Sequence, residues 1–180
     1  MNHKEWLSLN EKIEKKSEPK FIVDRMYYRV ARILRMLGYD TVFNPNFVDA
    51  DYIMHGKKDD RILITRDVDL RRRAEKVGIK TITIDAPTIS ERLVLLYKKA
   101  KIELKIRDSI LSRCTLCNSQ LEIVDKKEVE DKLLEGTKEV YDEFLRCKNP
   151  NCRQIYWKGS HWDQLLKTLE NSQNIVKEKD

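Results

Sequence analysis

The strongest chemical signal in the sequence comes from its cysteines. They form two close pairs, C-T-L-C and C-K-N-P-N-C, made up of Cys114, Cys117, Cys147 and Cys152. Four thiolates at these spacings are the ligand set of a tetrahedral zinc site. Because protein would fill every ligand position, we expect a structural zinc and not a catalytic one. Thioredoxin-like redox chemistry is the alternative, but there a single C-x-x-C opens a helix after a strand.

Acidic residues follow several short apolar segments. Asp24, Asp67 and Asp85 each end a predicted strand, Asp49 opens a predicted helix, and Asp69 lies two residues beyond Asp67. The carboxyl ends of parallel strands meet along one edge, where ligands gather. Converging carboxylates suit Mg²⁺ or Mn²⁺, which can activate water for phosphodiester cleavage. We take Asp24, Asp49 and Asp67 as the metal ligands, with Asp69 assisting. The alternative for each acid is a helix cap or a salt bridge.

Basic residues surround this predicted acidic centre. Arg25, Arg29 and Arg32 stand at i, i+4 and i+7, so they share one face of the helix that follows Asp24. Arginine holds phosphates, so a basic rim around an acidic centre suits a substrate with a phosphate backbone. The predicted contacts to this backbone are Arg25, Arg29, Arg32, Arg35, Arg66, Arg71 and His161. A solvated face with Arg–Asp pairs is the alternative for the arginines, and a helix capped by Ser160 is the alternative for His161.

The elements that would position these residues alternate between strand and helix. Short apolar runs at 21–23, 41–43, 62–65 and 80–84 predict strands. Helical periodicity is found at 25–37, 49–58 and 68–77, and again in a helix that either Thr88 or Ser90 can cap. Such alternation with short connections predicts an α/β fold with a parallel sheet covered by helices on both faces.

The chain after residue 108 is a second unit. Strands are predicted near the cysteine pairs, with a charged helical insert over about 126–141 and a helix over about 161–169. We divide the chain into an N-terminal extension (1–19), an α/β domain (20–108), a zinc ribbon (109–170) and a polar tail (171–180) that is expected to fray.

Composition excludes several classes of protein. Among 180 residues, 37% are charged, and the formal net charge is +6. The apolar runs are far shorter than the roughly 20 residues of a membrane span, and the N-terminus has no secretory h-region. We therefore expect a basic, cytoplasmic protein with an anionic partner such as nucleic acid.

Three sequence motifs, in order, resemble those of a known family. The run F-I-V-D-R-M with R-V-A-R-I-L-R-M-L-G-Y-D is similar to the start of the PIN-like RNase domain named after the C-terminus of the mutator-seven nuclease. R-I-L-I-T-R-D-V-D-L resembles its second motif, and C-x-x-C with Y-W-K-G-S-H-W resembles its zinc-ribbon ending. The resemblance covers about residues 20–168. The second pair departs from it as C-x₄-C, with Arg153 where glycine is common and Thr115 where proline is common.

The resemblance implies a PIN-like α/β/α fold followed by a zinc ribbon, and a metal-dependent ribonuclease. By position, Asp24, Asp49 and Asp67 match the family's acids, and Thr65 is the hydroxyl that accompanies Asp67. Asp69 fits the pattern less tightly. The same architecture occurs in the endonuclease that trims the small-subunit rRNA precursor, which makes ribosomal RNA or the ribosome a candidate partner.

The function expected from the sequence is a Mg²⁺- or Mn²⁺-dependent endoribonuclease that acts on single strands and leaves a 5′-phosphate and a 3′-hydroxyl. A non-catalytic RNA- or ribosome-associated factor on the same scaffold is the first alternative, and a toxin-type nuclease is the second. The sequence leaves open the RNA, the choice of endo- or exonuclease action, and the oligomeric state.

Overall fold

A parallel sheet forms the centre of the protein in the computed structural model, which describes residues 18–105 and 111–179. Its four strands lie in the order β2-β1-β3-β4. They are β1 (Phe21–Val23), β2 (Thr41–Val42), β3 (Ile62–Ile64) and β4 (Thr81–Ile82). Phe21 of β1 is in register with Thr41 on one side and with Ile62 on the other, so these strands end at a common edge.

Helices cover both faces of this sheet. They are α1 (Tyr28–Met36), which follows a 3₁₀ turn at Arg25–Tyr27, α2 (Asp49–Lys58), α3 (Val68–Lys76) and α4 (Ile89–Ala100). Side chains of one strand alternate between the faces: Phe21 and Val23 join the core under α1 and α4, whereas Ile22 joins the core under α2 and α3. The predicted three-layer α/β class is confirmed.

The cysteine-containing unit is a small antiparallel sheet. Its strands are β5 (Leu121–Val124), β6 (Phe144–Cys147) and β7 (Ile155–Tyr156), with β6 in the middle. Two 3₁₀ turns (Lys126–Glu128 and Glu130–Lys132) and the short α5 (Glu135–Val140) connect β5 to β6. We refer to this unit as the ribbon.

The predicted helix over 126–141 is therefore mostly wrong. Only α5 is an α-helix, and the chain becomes extended at Leu133, where ψ is 147°. Val129 and Leu133 are buried with Val124 and Phe144 in the small core of the ribbon. Bending the segment over the sheet buries these side chains, and that tertiary gain overrides local helix propensity.

The C-terminal helix is longer than predicted. It is α6 (Ser160–Lys179), and it continues well past the expected end near residue 169. Ser172 is fully buried, and its hydroxyl donates to the carbonyl oxygens of Thr168 (2.7 Å) and Ser90 (3.3 Å). Ile175 and Val176 pack on the main core. The tail that was expected to fray is thus held against α4 as far as the structure describes it.

Polar contacts join the ribbon to the α/β domain. Asn118, just after the first cysteine pair, donates to Asp40 Oδ1 (2.8 Å) and accepts from the Thr41 amide (3.0 Å). Arg61, which is buried in the α/β domain, donates to Asp40 Oδ1 at 2.7 Å. From the ribbon, Arg113 donates to the Gly38 carbonyl oxygen (3.1 Å).

The predicted boundary between residues 108 and 109 and most of the extension 1–19 lie outside the described residues. Over the ranges that are described, no helix has the length and apolarity to cross a membrane.

Candidate active site and cysteine cluster

An acidic cleft of about 480 Å³ opens beyond the carboxyl ends of β1 and β3. Asp24, Asp49 and Asp67 line it, as the sequence predicts for acids that follow parallel strands. Arg25 and Tyr52 also lie on its wall. Three elements therefore bring three carboxylates and one guanidinium-bearing residue to the same opening.

Asp24 is the most enclosed of the three acids. It follows β1, and only 5% of its surface is exposed. The hydroxyl of Thr65, itself fully buried, donates to Asp24 Oδ2 at 2.7 Å. The same hydroxyl oxygen accepts from the Asp67 amide at 3.0 Å. Thr65 thus links the ends of β1 and β3, and this contact fits the accompanying role that the resemblance implies for it.

Asp67 caps α3. Its Oδ1 accepts from the amides of Asp69 and Leu70, each at 2.9 Å, which satisfies two donors at the helix start. Asp69 differs, because its side chain is 84% exposed and lies 4.0 Å from Arg72 on the outer surface. Asp69 does not line the cleft.

Asp49 is the first residue of α2, the helix that the sequence predicts it to open. The cap is Val48, whose amide donates to Asp51 at 3.0 Å. The Asp49 carboxylate forms an ion pair with Arg73 of α3, which is the kind of Arg–Asp pair that the sequence leaves open as the alternative for its arginines. In this arrangement each acid has a protein partner, and among the described residues no three carboxylates converge on one point. Their hard oxygen donors still suit Mg²⁺ or Mn²⁺.

Two tyrosines near the cleft were not identified from the sequence. The Tyr52 hydroxyl accepts from the Arg25 amide at 3.3 Å and so holds the start of the 3₁₀ turn. Tyr27 is 4% exposed, and its hydroxyl has no hydrogen-bond partner among the described residues. Burial raises the pKa of Tyr27, and the nearby Asp85 carboxylate raises it further. In the sequence, only the position of each tyrosine close after an aspartate could have pointed to it.

The predicted RNA-binding residues fall into separate places. Arg25 lines the cleft, Arg29 is exposed on α1, and Arg66 is exposed near the rim, where its Nε lies 3.3 Å from Met26 Sδ. Arg71 instead lies beside β4, near Glu75. Arg32 and His161 line a different groove, described below.

Arg35 is buried and has a structural role. It is 3% exposed, and its guanidinium donates to the carbonyl oxygens of Thr41 (2.8 Å), Thr115 (2.9 Å) and Leu116 (2.9 Å). These bonds attach the first cysteine pair to α1 and leave no accessible face for a phosphate. We therefore remove Arg35 from the candidate RNA contacts.

The four cysteines do converge. Their sulfur atoms all lie within 4.8 Å of one another. Cys114 Sγ is 3.7 Å from Cys152 Sγ, and Cys117 Sγ is 3.4 Å from Cys147 Sγ. Zn–S bonds of about 2.3 Å in a tetrahedron separate the sulfur atoms by about 3.8 Å, so the cluster fits a zinc ion closely. All four are free thiols, and the C-x₄-C spacing does not prevent their convergence.

Four thiolates this close together would repel one another unless a cation lay between them. Burial of Cys117 opposes ionisation, but hydrogen bonds from Ser119 and Cys147 lower its pKa to about 6. Burial and neighbouring thiols raise the pKa of Cys147 and of Cys152. One thiol thus ionises readily while its neighbours resist, because adjacent thiolates repel. The Tyr156 hydroxyl, 3.1 Å from Cys114 Sγ, supplies an outer contact of the kind that orients metal ligands.

The backbone after each cysteine pair turns through the left-handed region. φ is 69° at Asn118 and 51° at Arg153. Asparagine tolerates this conformation, and its side chain also makes the contacts to the α/β domain described above. Arg153 has no such adaptation, and it occupies the position where glycine is common in the family it resembles.

Comparison with known proteins agrees with these features. A family model described as the Mut7-C RNAse domain matches residues 19–169. Neither the curated proteins nor the solved structures yielded a match. The match spans both the sheet edge that carries the aspartates and the four-cysteine cluster, and it agrees with the three motifs identified from the sequence. The chain therefore belongs to the Mut7-C RNAse domain family.

Proposed function

We propose that this protein is a divalent-metal-dependent endoribonuclease that cuts single-stranded RNA at the acidic cleft. The observation that carries the proposal is the meeting of Asp24, Asp49 and Asp67 in one cleft with Arg25 on its wall. Carboxylate oxygens are the ligands that Mg²⁺ and Mn²⁺ prefer, and arginine binds phosphate oxygens. Membership of an RNase family supports RNA as the substrate.

Each residue of the cleft has a distinct task in this proposal. Asp24 and Asp67 would hold the ion, which supplies Lewis-acid stabilisation of the phosphate and a nucleophile at neutral pH. Asp49 would join them once it leaves Arg73. Thr65 keeps Asp24 and the Asp67 amide in register through its two hydrogen bonds. Arg25 would hold a phosphate of the RNA at the cleft, with Arg29 and Arg66 contacting the backbone outside it.

The ribbon has a structural task in the proposal. A zinc ion held by Cys114, Cys117, Cys147 and Cys152 would stabilise the unit, whose own core consists of four buried residues. Four protein thiolates leave no ligand position for water, so the chemistry belongs to the acidic cleft.

The experiment is a cleavage assay with 5′-labelled single-stranded RNA in Mg²⁺, in Mn²⁺ and in EDTA. We expect cuts only with a divalent ion, and internal cuts rather than stepwise shortening. Asp24→Asn should lower kcat/KM by about 100-fold or more, because a metal site contributes several kcal/mol of transition-state stabilisation. The products should carry a 5′-phosphate and a 3′-hydroxyl.

The matched control is Asp60→Asn. Asp60 is exposed beyond α2, has a φ of 51° that asparagine accepts, and lies outside the acidic cleft. This variant should cut like the wild type. Cleavage that persists in EDTA, or that Asp24→Asn retains in full, would contradict the proposed site.

A second function, RNA binding without turnover, is favoured by one observation. Asp49 is paired with Arg73, and the carboxylates do not converge as the thiols do. In that case, neither ion should support cleavage, while wild type and Asp24→Asn bind RNA equally and release it as salt is raised.

A further inference from the structure

A second concave surface lies where the ribbon meets α1. We call it the ribbon groove; its volume is about 370 Å³, within the range of small-ligand pockets. α1 contributes Arg32 and Met36, the first cysteine pair contributes Leu116, and the segment from β7 into α6 contributes Trp157, His161 and Trp162. It shares no lining residue with the acidic cleft.

The groove combines aromatic and basic groups. Three aromatic rings, those of Trp157, His161 and Trp162, come from six consecutive positions, and Tyr156 of β7 adds a fourth. No acidic residue is among the described residues that line it, although charged residues are 37% of the chain. Aromatic faces with a nearby cation are what single-stranded nucleic acid binds, because every base has a face that can stack. A negatively charged backbone therefore meets complementary charge here.

Trp157 is held in place on the groove wall. Its ring contacts those of Tyr141 and Phe144 at centroid distances of 6.3 and 6.4 Å. A Cβ on Gly159 would lie 2.7 Å from the indole Nε1, so only glycine allows the ring to lie this close to the backbone. The side chain nevertheless remains 38% exposed. A rigid, accessible aromatic surface of this kind loses little entropy on stacking.

The 3₁₀ turn at Arg25–Tyr27 and α1 together connect the acidic cleft to the groove. Arg25 of the turn lies on the cleft, Arg32 of α1 lies on the groove, and Arg29 of α1 is exposed between them in sequence. At the usual rise of a 3₁₀ turn and an α-helix, Arg25 and Arg32 are separated by about 10–12 Å along the chain axis, roughly the rise of three stacked nucleotides. A strand that follows these arginines would reach the groove a few nucleotides from the cleft.

We propose that the ribbon groove is a nucleobase subsite, which stacks one base of single-stranded RNA about three nucleotides from the bond that is cut. This inference rests on the proposed ribonuclease function. It assigns to His161 and Arg32 a role at this second position instead of at the cleft. The groove then sets where a strand is cut, since its distance from the cleft is fixed by the 3₁₀ turn and α1.

The test measures RNA affinity in the Asp24→Asn background, by fluorescence anisotropy with a six-nucleotide RNA. Leu116→Glu puts a carboxylate into the groove, and Leu134→Glu is the matched control, because Leu134 is an exposed leucine of the ribbon that does not line the groove. We expect Leu116→Glu to weaken binding at least about fivefold, the lower limit for losing one stacked base, while the control changes it by less than about twofold. His161→Ala should weaken binding in the same direction.

An abasic series identifies the base. One abasic nucleotide is placed at each position of the RNA in turn. At one position, the missing base should lower the affinity of the Asp24→Asn protein at least about fivefold. The same abasic RNA should cause no further loss in the protein that also carries Leu116→Glu, because the groove no longer stacks that base. Zinc content and thermal melting establish that both leucine variants are folded.

Two results would overturn the inference, and they differ. If RNA binds and wild type cuts it, but Leu116→Glu and the abasic series have no effect, the groove is not a base subsite and is available to a protein partner. If no variant binds RNA and wild type does not cut it, the proposed ribonuclease function fails together with the subsite.

Discussion

The two clusters of candidate metal ligands in this protein differ in how complete they are. The four cysteine sulfur atoms lie within 4.8 Å of one another, whereas the three aspartates line a cleft of about 480 Å³ without converging. Each aspartate also has a protein partner: Asp24 has Thr65, Asp67 has the start of α3, and Asp49 has Arg73. The cysteine cluster is therefore assembled as a ligand set, whereas the aspartates of the acidic cleft are kept apart by their protein partners.

If the two clusters hold the metals proposed above, the chemistry of the ligands accounts for the difference. Soft thiolates closed around zinc stabilise a fold, so their geometry must be complete for the ribbon to persist. Magnesium keeps several waters and shares its ligands with substrate phosphates, so a catalytic site need not be complete before RNA arrives. Carboxylates that are satisfied by the protein also avoid the repulsion of an unpaired cluster.

The largest effect should come from breaking the cysteine cluster. Cys147→Ser removes a buried ligand, and we expect the bound zinc to fall from about one ion per chain to near zero, with melting of the ribbon. Elemental analysis and thermal melting measure both. Leu134→Ser, at an 81% exposed ribbon residue, should keep its zinc. Retention of stoichiometric zinc by Cys147→Ser would mean that the cluster is not the metal site.

A smaller effect should follow from breaking the link between the acids. Thr65→Val keeps the shape of the side chain but leaves the buried Asp24 carboxylate and the Asp67 amide without their shared partner. We expect a loss of about 1–3 kcal/mol in the free energy of unfolding, together with reduced cleavage. Denaturant titration measures the first quantity.

Two comparisons sharpen this prediction. Thr65→Ser retains the hydroxyl and should recover most of both properties. Zinc content should not change in either variant, because Thr65 does not contact the ribbon cysteines. Equal stability of Thr65→Val and wild type would mean that the hydroxyl does not hold the acids in place.

The stability that comes from the contacts between the ribbon and the α/β domain should depend on pH. Burial alone would raise the pKa of Asp40, but hydrogen bonds from Arg61 and Asn118 outweigh it and hold the pKa below its usual value. Because the folded pKa is depressed, this stabilisation is present above the unfolded pKa of about 3.9 and disappears as pH falls through the folded value.

Asp40→Asn should therefore lower the free energy of unfolding by about 1–2 kcal/mol at pH 7, and the difference from wild type should shrink below about pH 4. Denaturant titrations of both proteins across this range measure the difference. Zinc content is measured at each pH, because loss of zinc would melt the ribbon and take Asn118 away from Asp40. A difference that stays constant down to pH 2 would contradict the assignment.

Much of the fold was predictable because local and tertiary signals agree. β1 occupies the predicted residues, and Thr88 caps α4 through its reciprocal bonds with Glu91. The predictions fail where contacts with distant parts of the chain determine the local structure. The buried hydroxyl of Ser172 and the extended backbone at Leu133 depend on surfaces that no local pattern contains. Propensity is overridden at those positions by packing.

The candidate site follows the same rule. Parallel strands bring Asp24 and Asp67 to one edge whatever the details of packing, so sequence order is sufficient to place them together. Arg35 shows the limit, because its side chain is buried by the docked ribbon and not by its own helix. The partner of Asp49 could not be predicted for a similar reason, since its pairing with Arg73 depends on how α2 and α3 pack.

The smallest effect on stability should come from releasing Asp49. Arg73→Gln removes a half-exposed ion pair, so the free energy of unfolding should change by less than about 1 kcal/mol. Manganese affinity should nevertheless rise severalfold, because Asp49 loses the cation that competes with the metal. Calorimetric titration with Mn²⁺ measures this.

Arg72→Gln is the matched control, since it removes the same charge from the same helix but lies 4.0 Å from Asp69, outside the cleft. If both variants raise Mn²⁺ affinity equally, the cause is net charge, and Asp49 is not a ligand. If only Arg73→Gln raises it, Asp49 contributes to metal binding once it is free of Arg73, and this dependence on one broken contact separates the acidic cleft from the assembled cysteine cluster.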